Sequence, residues 1–235
     1  MTRKRLGFFT RLLDNAPPKE RYRLATEQIR HAERHGFDSA WIAQHHFHEH
    51  EGGLPSPLLF LAHAAAHTQT IRLGTAIITL PLENPLRVAE DAAVLDLLAD
   101  GRLEIGFGSG GTPTSFLPFG LTIDQRAAVF EESLHLIQSA WRGDSLAHPD
   151  NHLYPPAPQL TERVWIATFS IEGAVRAARA GHGLMLSRTQ PRPADKPGLR
   201  LDEIQNPIVD AYLDALPAGV APLILASRTA FVADT

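Results

Sequence analysis

The chain has 235 residues, of which 44% are hydrophobic and 20% charged, with a formal net charge of −4 at pH 7. This composition is that of an ordinary globular protein, and the small negative charge gives no reason to expect a nucleic-acid partner. Cysteine is absent, which excludes disulfide and thiolate chemistry and favours a cytoplasmic location, and no apolar run approaches the ~20 residues that a membrane span needs.

Strand and helix signals alternate along the chain. The predicted strands cover residues 6–10, 39–46, 71–80, 103–108, 164–168, 184–187 and 223–232. The predicted helices cover residues 18–35, 57–68, 85–99, 122–142 and 170–180, with one more from about residue 201. Such a series predicts parallel strands with helices outside them, as an open sheet or a closed barrel. No long linker or change of composition interrupts it, so we predict one domain, residues 1–235.

Several predicted helices begin at residues that suit a helix start. Pro18 fits a first turn because its missing N–H would be unpaired there in any case. Asn84 and Ser170 have the side chains of N-caps, and Thr122–Gln125 has the form of a capping box. The last predicted helix contains Asn206-Pro207, which we expect to disturb it.

The second predicted strand ends in two adjacent histidines, His45 and His46. Active-site residues of parallel α/β proteins usually lie at the carboxyl ends of the strands, and the histidine side chain titrates near neutral pH. The pair therefore indicates an active site, although a hydrogen-bonded histidine that caps a strand end would look the same. Side chains alternate along a regular strand, so His46 would point away from His45 and have a structural role.

A metal-dependent barrel hydrolase is an alternative interpretation of this region. Its ligands would come from the His45–His50 cluster, which contains four histidines, with Glu49 and Glu51 close by. Metal barrels also need ligands from later strand ends, and the fifth and sixth predicted strands supply no histidine or aspartate there. We therefore expect no metal site.

Gly106–Gly111 formally matches the GxGxxG pattern of dinucleotide-binding proteins. The match is poor because no helix opens at the last glycine and the strand is fourth in the series, not first. Ser109 and Gly110 more plausibly form a backbone that a ligand can approach closely.

Five segments together resemble the bacterial luciferase-like flavin monooxygenases, and they occur in the order of that family. They are Phe37–Trp41, Gln44–Phe47, Gly74–Pro81, Asn84–Arg102, and Trp165–Ala167 with Ser170. The resemblance implies an α/β fold of the TIM-type (β/α) barrel kind, with reduced FMN as the cofactor and molecular oxygen as the co-substrate. It makes His45 a general acid/base on an unknown organic substrate, whose pocket we expect from the loops at 48–56, 109–121 and 146–163.

The resemblance also implies flavin contacts. Ala76 and Ile77 match the place where the family often has a non-proline cis peptide beneath the flavin. Many relatives have an arginine where this chain has Ser109, which leaves the phosphate without one expected cation; Arg188 is a candidate substitute, although an outward-facing, salt-bridged arginine fits the sequence equally well.

The start of the helix capped by Ser170 would suit the FMN phosphate. Free N–H groups and the helix dipole both favour an anion there, and Gly173 leaves room in the first turn. Thr168 and Phe169 would line the approach. A plain N-cap is the alternative.

Relatives continue with an eighth strand and further helices after the segment that resembles Ser227–Asp234. The resemblance therefore implies a barrel that lacks them here, through shortening, truncation or pairing with another subunit. We also expect a separate flavin reductase, because no nicotinamide site is convincing. The resemblance further implies a homodimer, for which the helices at 57–68 and 85–99 carry apolar and alanine-rich surfaces, although these faces would equally serve only to cover the barrel. A deazaflavin-dependent oxidoreductase of the same superfamily and a non-catalytic flavin-binding protein are the remaining alternatives.

Overall fold

A computed structural model describes residues 4–229, and the chain divides into two compact units between Arg163 and Val164. The strands of the first unit are β1 (Gly7–Thr10), β2 (Ser39–Ile42), β3 (Arg72–Thr75), β4 (Ile78–Thr79) and β5 (Leu103–Gly108). All paired strands of this unit run parallel: β2 lies between β1 and β3, and β5 pairs with both β3 and β4. The parallel arrangement brings the carboxyl ends of these strands to one edge of the sheet.

The helices of the first unit are α1 (Pro18–Arg34), α2 (Pro57–Ala65), α3 (Pro85–Leu98) and α4 (Arg126–Arg142). Proline occupies the first turn of α1, α2 and α3. The Asn84 side chain accepts hydrogen bonds from the amides of Leu86 and Arg87 at 3.0 and 3.2 Å, as a predicted N-cap should. The Thr122–Gln125 capping box is present, and it opens a short 3-10 turn that leads into α4.

The second unit contains β6 (Val164–Ala167), α5 (Ile171–Arg179), β7 (Gly183–Leu186), α6 (Leu201–Ala215) and β8 (Ile224–Ala226). Its three strands are parallel, with β7 between β6 and β8. The expectation that Asn206-Pro207 would disturb the last helix is wrong, since α6 runs through Pro207 as one element. The predicted strand at 223–232 is shorter than expected, and its last three residues, like most of the Ser227–Asp234 segment, lie outside the described residues.

The second strand ends at Ile42 and not at His46 as predicted. Ala43 still donates to β1, but the residues after it do not pair with a single neighbouring strand. The amides of Ala43, Gln44 and His45 donate to three separate acceptors: the carbonyls of Thr10, Ile77 and Leu54, at 3.2, 3.3 and 2.9 Å. Both histidines therefore lie in a loop, and the argument from strand alternation does not apply to His46.

The third predicted strand, residues 71–80, is divided into β3 and β4. The two parts are separated at Ala76–Ile77, where the peptide bond is cis, as the family resemblance implied. Leu80–Leu82 then forms a 3-10 turn. Buried residues surround Ala76 and Ile77 in β3, β4 and this turn, whereas these two residues are partly exposed.

Two buried polar groups hold the amino end of β5 in place. The Arg102 guanidinium donates to the Thr68 hydroxyl at 3.0 Å and to the backbone carbonyls of Ala65, Thr68 and Ile71 at 3.0–3.2 Å. The carboxylate of Asp96 accepts from the side chains of Gln159 and Arg163, both at 2.8 Å. Asp96 is thus paired with an opposite charge, and Arg102 is held by neutral oxygen acceptors, which offset the cost of burying these two charges. No helix within residues 4–229 is both long and apolar enough to cross a membrane.

His182, which precedes β7, makes the stability of the fold depend on pH. Burial lowers the pKa of His182 to about 4, from an ordinary value of 6.5. Between these two values the unfolded chain binds a proton that the folded chain does not, so stability falls as the pH is lowered from 6.5 to 4.

We expect up to about 3 kcal/mol of the unfolding free energy to be lost over this range through His182. Urea denaturation of the protein and of His182→Asn at several pH values measures it. The variant should lose less stability on acidification than the parent protein, and equal pH dependence in the two would contradict the assignment.

Candidate active site

His45 lies in the loop that follows β2 and closes at Leu54. Its amide donates to the Leu54 carbonyl at 2.9 Å, which draws the two ends of the loop together. Gly52 packs so closely against the imidazole that a Cβ at this position would clash with the ring carbon Cδ2 of His45. The residue at position 52 must therefore be glycine for the loop to close over the ring.

The electrostatic surroundings of His45 favour the neutral imidazole. Burial lowers the pKa of His45 most strongly, and the positive charge of Arg11 acts in the same direction. The carboxylate of Glu51 opposes them, with Oε2 at 3.6 Å from Nδ1 of His45. A neutral imidazole has one nitrogen that can accept a proton, as a general base requires.

The buried side chain of Gln44 connects the His45 loop to the region around β4. Its Nε2 donates to the Pro55 carbonyl at 2.9 Å and to the Glu83 carboxylate at 2.6 Å, and its Oε1 accepts from the Thr79 amide at 2.7 Å. Burial raises the pKa of Glu83, although the hydrogen bond from Gln44 works against this shift. Gln44 thus satisfies both ends of its amide and sets the position of His45, its neighbour in sequence. No local sequence pattern predicted this bridging role of Gln44.

An open cavity of about 220 Å³ lies against His45. One wall is formed by the amino end of α1, including Pro18 and Tyr22, and the other by the His45 loop, including Phe47 and Pro55. The loop at 48–56 was expected to line a substrate pocket, but the start of α1 was not. Most cavity-lining surface of this kind is apolar, with a few polar groups that orient a ligand.

His46 and His48 contact the segment that follows β5. The ring of His46 packs edge-on against Phe119, with 5.1 Å between ring centroids, and burial lowers its pKa. Nε2 of His48 is 2.9 Å from the Thr114 hydroxyl. Within residues 4–229, no three histidine, aspartate or glutamate side chains are placed to hold a metal ion, so the His45–His50 cluster does not form the site that the hydrolase interpretation requires.

The predicted flavin contacts of the first unit lie at the carboxyl ends of its strands. Ala76 and Ile77 follow β3 and present a partly exposed apolar surface. Ser109 and Gly110 follow β5, and Gly110 has a φ of 78° and approaches Thr79. A flat aromatic ring can stack on an apolar surface such as that of Ala76 and Ile77, and it can approach a glycine backbone such as that of Gly110 closely.

In the second unit, four predicted residues meet between β6 and α5. Ser170 is the N-cap of α5, and its hydroxyl accepts from the Gly173 amide at 3.1 Å. The Ser170 amide in turn donates to the Thr168 hydroxyl at 3.1 Å, and Phe169 is 54% exposed. Any Cβ on Gly173 would clash with the Thr168 hydroxyl, so the tight turn requires glycine there. The N-cap of α5 is thus exposed beside an exposed aromatic ring, whereas Gly173 in the first turn is buried.

Arg188 lies just beyond the carboxyl end of β7. Its amide donates to the Ser227 hydroxyl at 2.8 Å, which connects the segments that follow β7 and β8. The backbone thus places Arg188 at the same edge of its sheet as Ser170.

Residues 6–201 match the family whose description is luciferase-like monooxygenase. The chain belongs to this family. Among curated relatives, it is 38% identical over 173 residues to the uncharacterized protein y4vJ of Sinorhizobium fredii. The aligned residues cover 70% of this chain and 49% of that protein. It is 30% identical to limonene 1,2-monooxygenase of Rhodococcus erythropolis, over 72% of this chain and 46% of the relative. This luciferase-like chain thus spans about half the length of the curated relatives it matches.

Solved structures show the same fold. The crystal structure of monooxygenase RslO1 from Streptomyces bottropensis superposes with a TM-score of 0.78 and 27% identity, over 98% of this chain and 72% of that one. The α/β class with parallel strands, expected from the luciferase-like resemblance, is therefore confirmed.

Luciferase-like relatives of this chain differ in their cofactor. The oxygenase component of flavin-dependent trigonelline monooxygenase from Acinetobacter baylyi is 26% identical over 67% of this chain and 46% of its own length. An F420-dependent glucose-6-phosphate dehydrogenase from Beutenbergia cavernae is 40% identical, over 48% of this chain and 35% of its own. Membership of the family thus leaves more than one redox cofactor to be considered.

We expect Gln44→Leu to destabilise the protein by about 2–3 kcal/mol, because it leaves the half-buried Glu83 carboxylate and the buried Thr79 amide without their partner. Urea denaturation measures the loss. The double variant Gln44→Leu/Glu83→Leu removes the carboxylate as well and should recover part of the stability. A loss below about 0.5 kcal/mol in the single variant would show that the bridge contributes little.

Proposed function

We propose that the protein is a flavin-dependent monooxygenase that uses reduced FMN and molecular oxygen on a small organic substrate. The observation that carries this proposal is the environment of His45, an imidazole held neutral by burial on the wall of a cavity. A side chain in that state can accept a proton from a bound reactant. Membership of the luciferase-like family and the relatives named as monooxygenases support the reaction class.

In the first unit, Ala76 and Ile77 would support the flavin ring, and the backbone at Ser109 and Gly110 would lie close to the cofactor. The fit of these residues to a flavin ring rests on the partly exposed apolar surface of Ala76 and Ile77, since the residues next to them on both sides are buried. Reduced flavin would supply the electrons that activate oxygen. The protein would hold the ring, limit the access of water and keep His45 within reach of the substrate.

In the second unit, the amino end of α5 would bind a phosphate group. The first-turn amides and the helix dipole attract anions, and the Ser170 hydroxyl lies at this end. Thr168, Phe169 and Gly173 would shape the approach. Arg188, which lies at the same edge of this sheet, would supply a positive charge for the phosphate.

Reduced FMN has to be delivered by another protein, so we propose a separate flavin reductase as the partner. The relative named as an oxygenase component supports this division of labour. A deazaflavin-dependent oxidoreductase is the second candidate, because F420-dependent enzymes are among the relatives. The two functions differ in whether oxygen is consumed, and a non-catalytic flavin-binding protein would consume none and release no product.

We also propose that the protein forms a homodimer through α2 and α3. Leu59 on α2 and Val94, Leu97 and Leu98 on α3 are all exposed, and clustered exposed apolar side chains mark interaction surfaces. Sedimentation velocity decides between a monomer and a dimer.

We expect the apoprotein to bind reduced FMN at micromolar or tighter affinity and more tightly than oxidised FMN. Anaerobic fluorescence titration measures both. Binding of reduced F420 but not reduced FMN would replace the proposal with the deazaflavin alternative.

We expect His45→Ala to keep its affinity for reduced FMN and to lose turnover by about 10²- to 10⁴-fold, the range for a general acid/base. Oxygen consumption and product release measure turnover. His50→Ala, a change of an exposed histidine in the same loop, is the matched control and should keep turnover. Equal turnover in His45→Ala and the parent protein would remove His45 from the chemistry.

We expect FMN to bind more tightly than riboflavin, which lacks the phosphate, and Ser170→Asp to abolish that difference. Aspartate remains a good N-cap, so α5 is preserved, but it places a negative charge where the phosphate would bind. Ser170→Asn is the uncharged control and should keep most of the preference. A full preference for FMN in Ser170→Asp would place the phosphate elsewhere.

A further inference from the structure

We propose that Glu51 is a positioning residue that acts through His45, as its electrostatic partner. Its carboxylate holds the proton of His45 on Nδ1 and leaves Nε2 as the nitrogen that exchanges a proton with a bound reactant. The catalytic part of this inference rests on the proposed function, because it takes His45 as the acid/base. The pairing of Glu51 with His45 is a property of the protein alone and can be tested without a cofactor.

The carboxylate of Glu51 is held from two sides. Oε2 is 3.6 Å from Nδ1 of His45, and the same oxygen accepts a hydrogen bond of 2.9 Å from the Thr112 hydroxyl. At 3.6 Å the contact with His45 is electrostatic and longer than a formed hydrogen bond. Glu51 belongs to the loop after β2 and Thr112 to the segment after β5, so two strand ends determine where this charge lies.

Partial burial makes the pairing effective. The side chains of His45 and Glu51 are 25% and 32% exposed, so water screens the pair less than it screens a surface ion pair. A carboxylate near Nδ1 favours the tautomer in which Nδ1 carries the hydrogen and Nε2 the lone pair. Histidine tautomers in acid/base catalysis are set in this way by a carboxylate that does not itself become protonated.

The proton transfer balances within this arrangement. A bound reactant releases a proton to Nε2, Nδ1 keeps its own hydrogen, and the neutral imidazole becomes an imidazolium. The positive charge then lies beside the negative charge of Glu51, which stabilises it. When the proton is returned, the ring regains the same tautomer.

The other charged groups described around His45 do not stabilise its protonated form as Glu51 does. Arg11 opposes protonation of His45, and His45 in turn makes His46 harder to protonate. Glu49 lines the same cavity, and its backbone carbonyl lies 3.5 Å from the Arg21 guanidinium. Glu51 is thus the carboxylate that raises the pKa of His45, and Glu49 is its matched control.

The first test is an NMR titration of the histidines in the apoprotein. Because Glu51 raises the pKa of His45, Glu51→Gln should lower that pKa further, whereas Glu49→Gln should leave it as in the parent protein. Thr112→Val frees the carboxylate from its second contact and should shift the His45 titration without removing any charge. An unchanged His45 titration in Glu51→Gln would overturn the proposal, and thermal unfolding of each variant checks that it is folded.

The second test uses the loaded enzyme. Glu51→Gln should reduce kcat by about 10- to 100-fold, a part of the acid/base contribution, with little change in flavin affinity. The acidic limb of the pH–activity profile of Glu51→Gln should move to lower pH, by the same amount as the His45 pKa measured by NMR. A residue that only supports the loop would lower activity without moving this limb. If the parent protein shows no oxygenase turnover, the proposed function fails, and the apoprotein titration still decides the pairing.

Discussion

The hydrogen bonds of the Gln44 amide are the constraint on which the geometry around His45 depends. One buried side chain satisfies the Thr79 amide, the Pro55 carbonyl and the Glu83 carboxylate. These partners belong to β4, the end of the His45 loop and the segment before α3. Because Gln44 precedes His45 directly, the same bonds that stabilise the fold restrict where the imidazole can lie. An unpaired amide would be costly at this depth, which keeps the arrangement in one state.

The chemistry available to His45 follows from two opposing effects of its position. Burial and Arg11 favour the neutral ring, and Glu51 favours the protonated one. A base that is too easily protonated is inactive at neutral pH, whereas one that is too hard to protonate cannot accept a proton from the reactant. Arg11, which follows β1, and Glu51, in the loop after β2, thus act on one side chain in opposite directions. Gly52 makes this possible because its lack of a side chain lets the backbone lie against the ring.

Predictions from local sequence were accurate for elements whose bounds depend mainly on interactions between residues close together in the chain. β5 spans residues 103–108 as expected, and Asn84 and Ser170 are N-caps, because a short strand bounded by glycines and a capping side chain depend on few neighbours. The predicted extent of β2 was wrong for the opposite reason. The residues from Ser39 to His46 fit a strand locally, but the amides of Gln44 and His45 donate to Ile77 and Leu54 instead of to β1, so the ladder does not reach His46. The family resemblance pointed to the cis peptide bond at Ala76–Ile77, but the division of the third strand there was not predicted, because the apolar pattern runs through it without a change.

The sequence by itself determined the alternation of parallel strands and helices, the family, and the presence of an active histidine candidate at a strand end. These depend on the order of residues along the chain. Only the tertiary structure decided which groups surround that histidine: Glu51 with its Thr112 contact, the Gln44 bridge and the wall formed by α1. The carboxylate of Glu51 and the hydroxyl of Thr112 lie 2.9 Å apart although 61 positions separate them in the chain. Contacts of this range arise from the packing of strand ends and leave no local pattern to recognise.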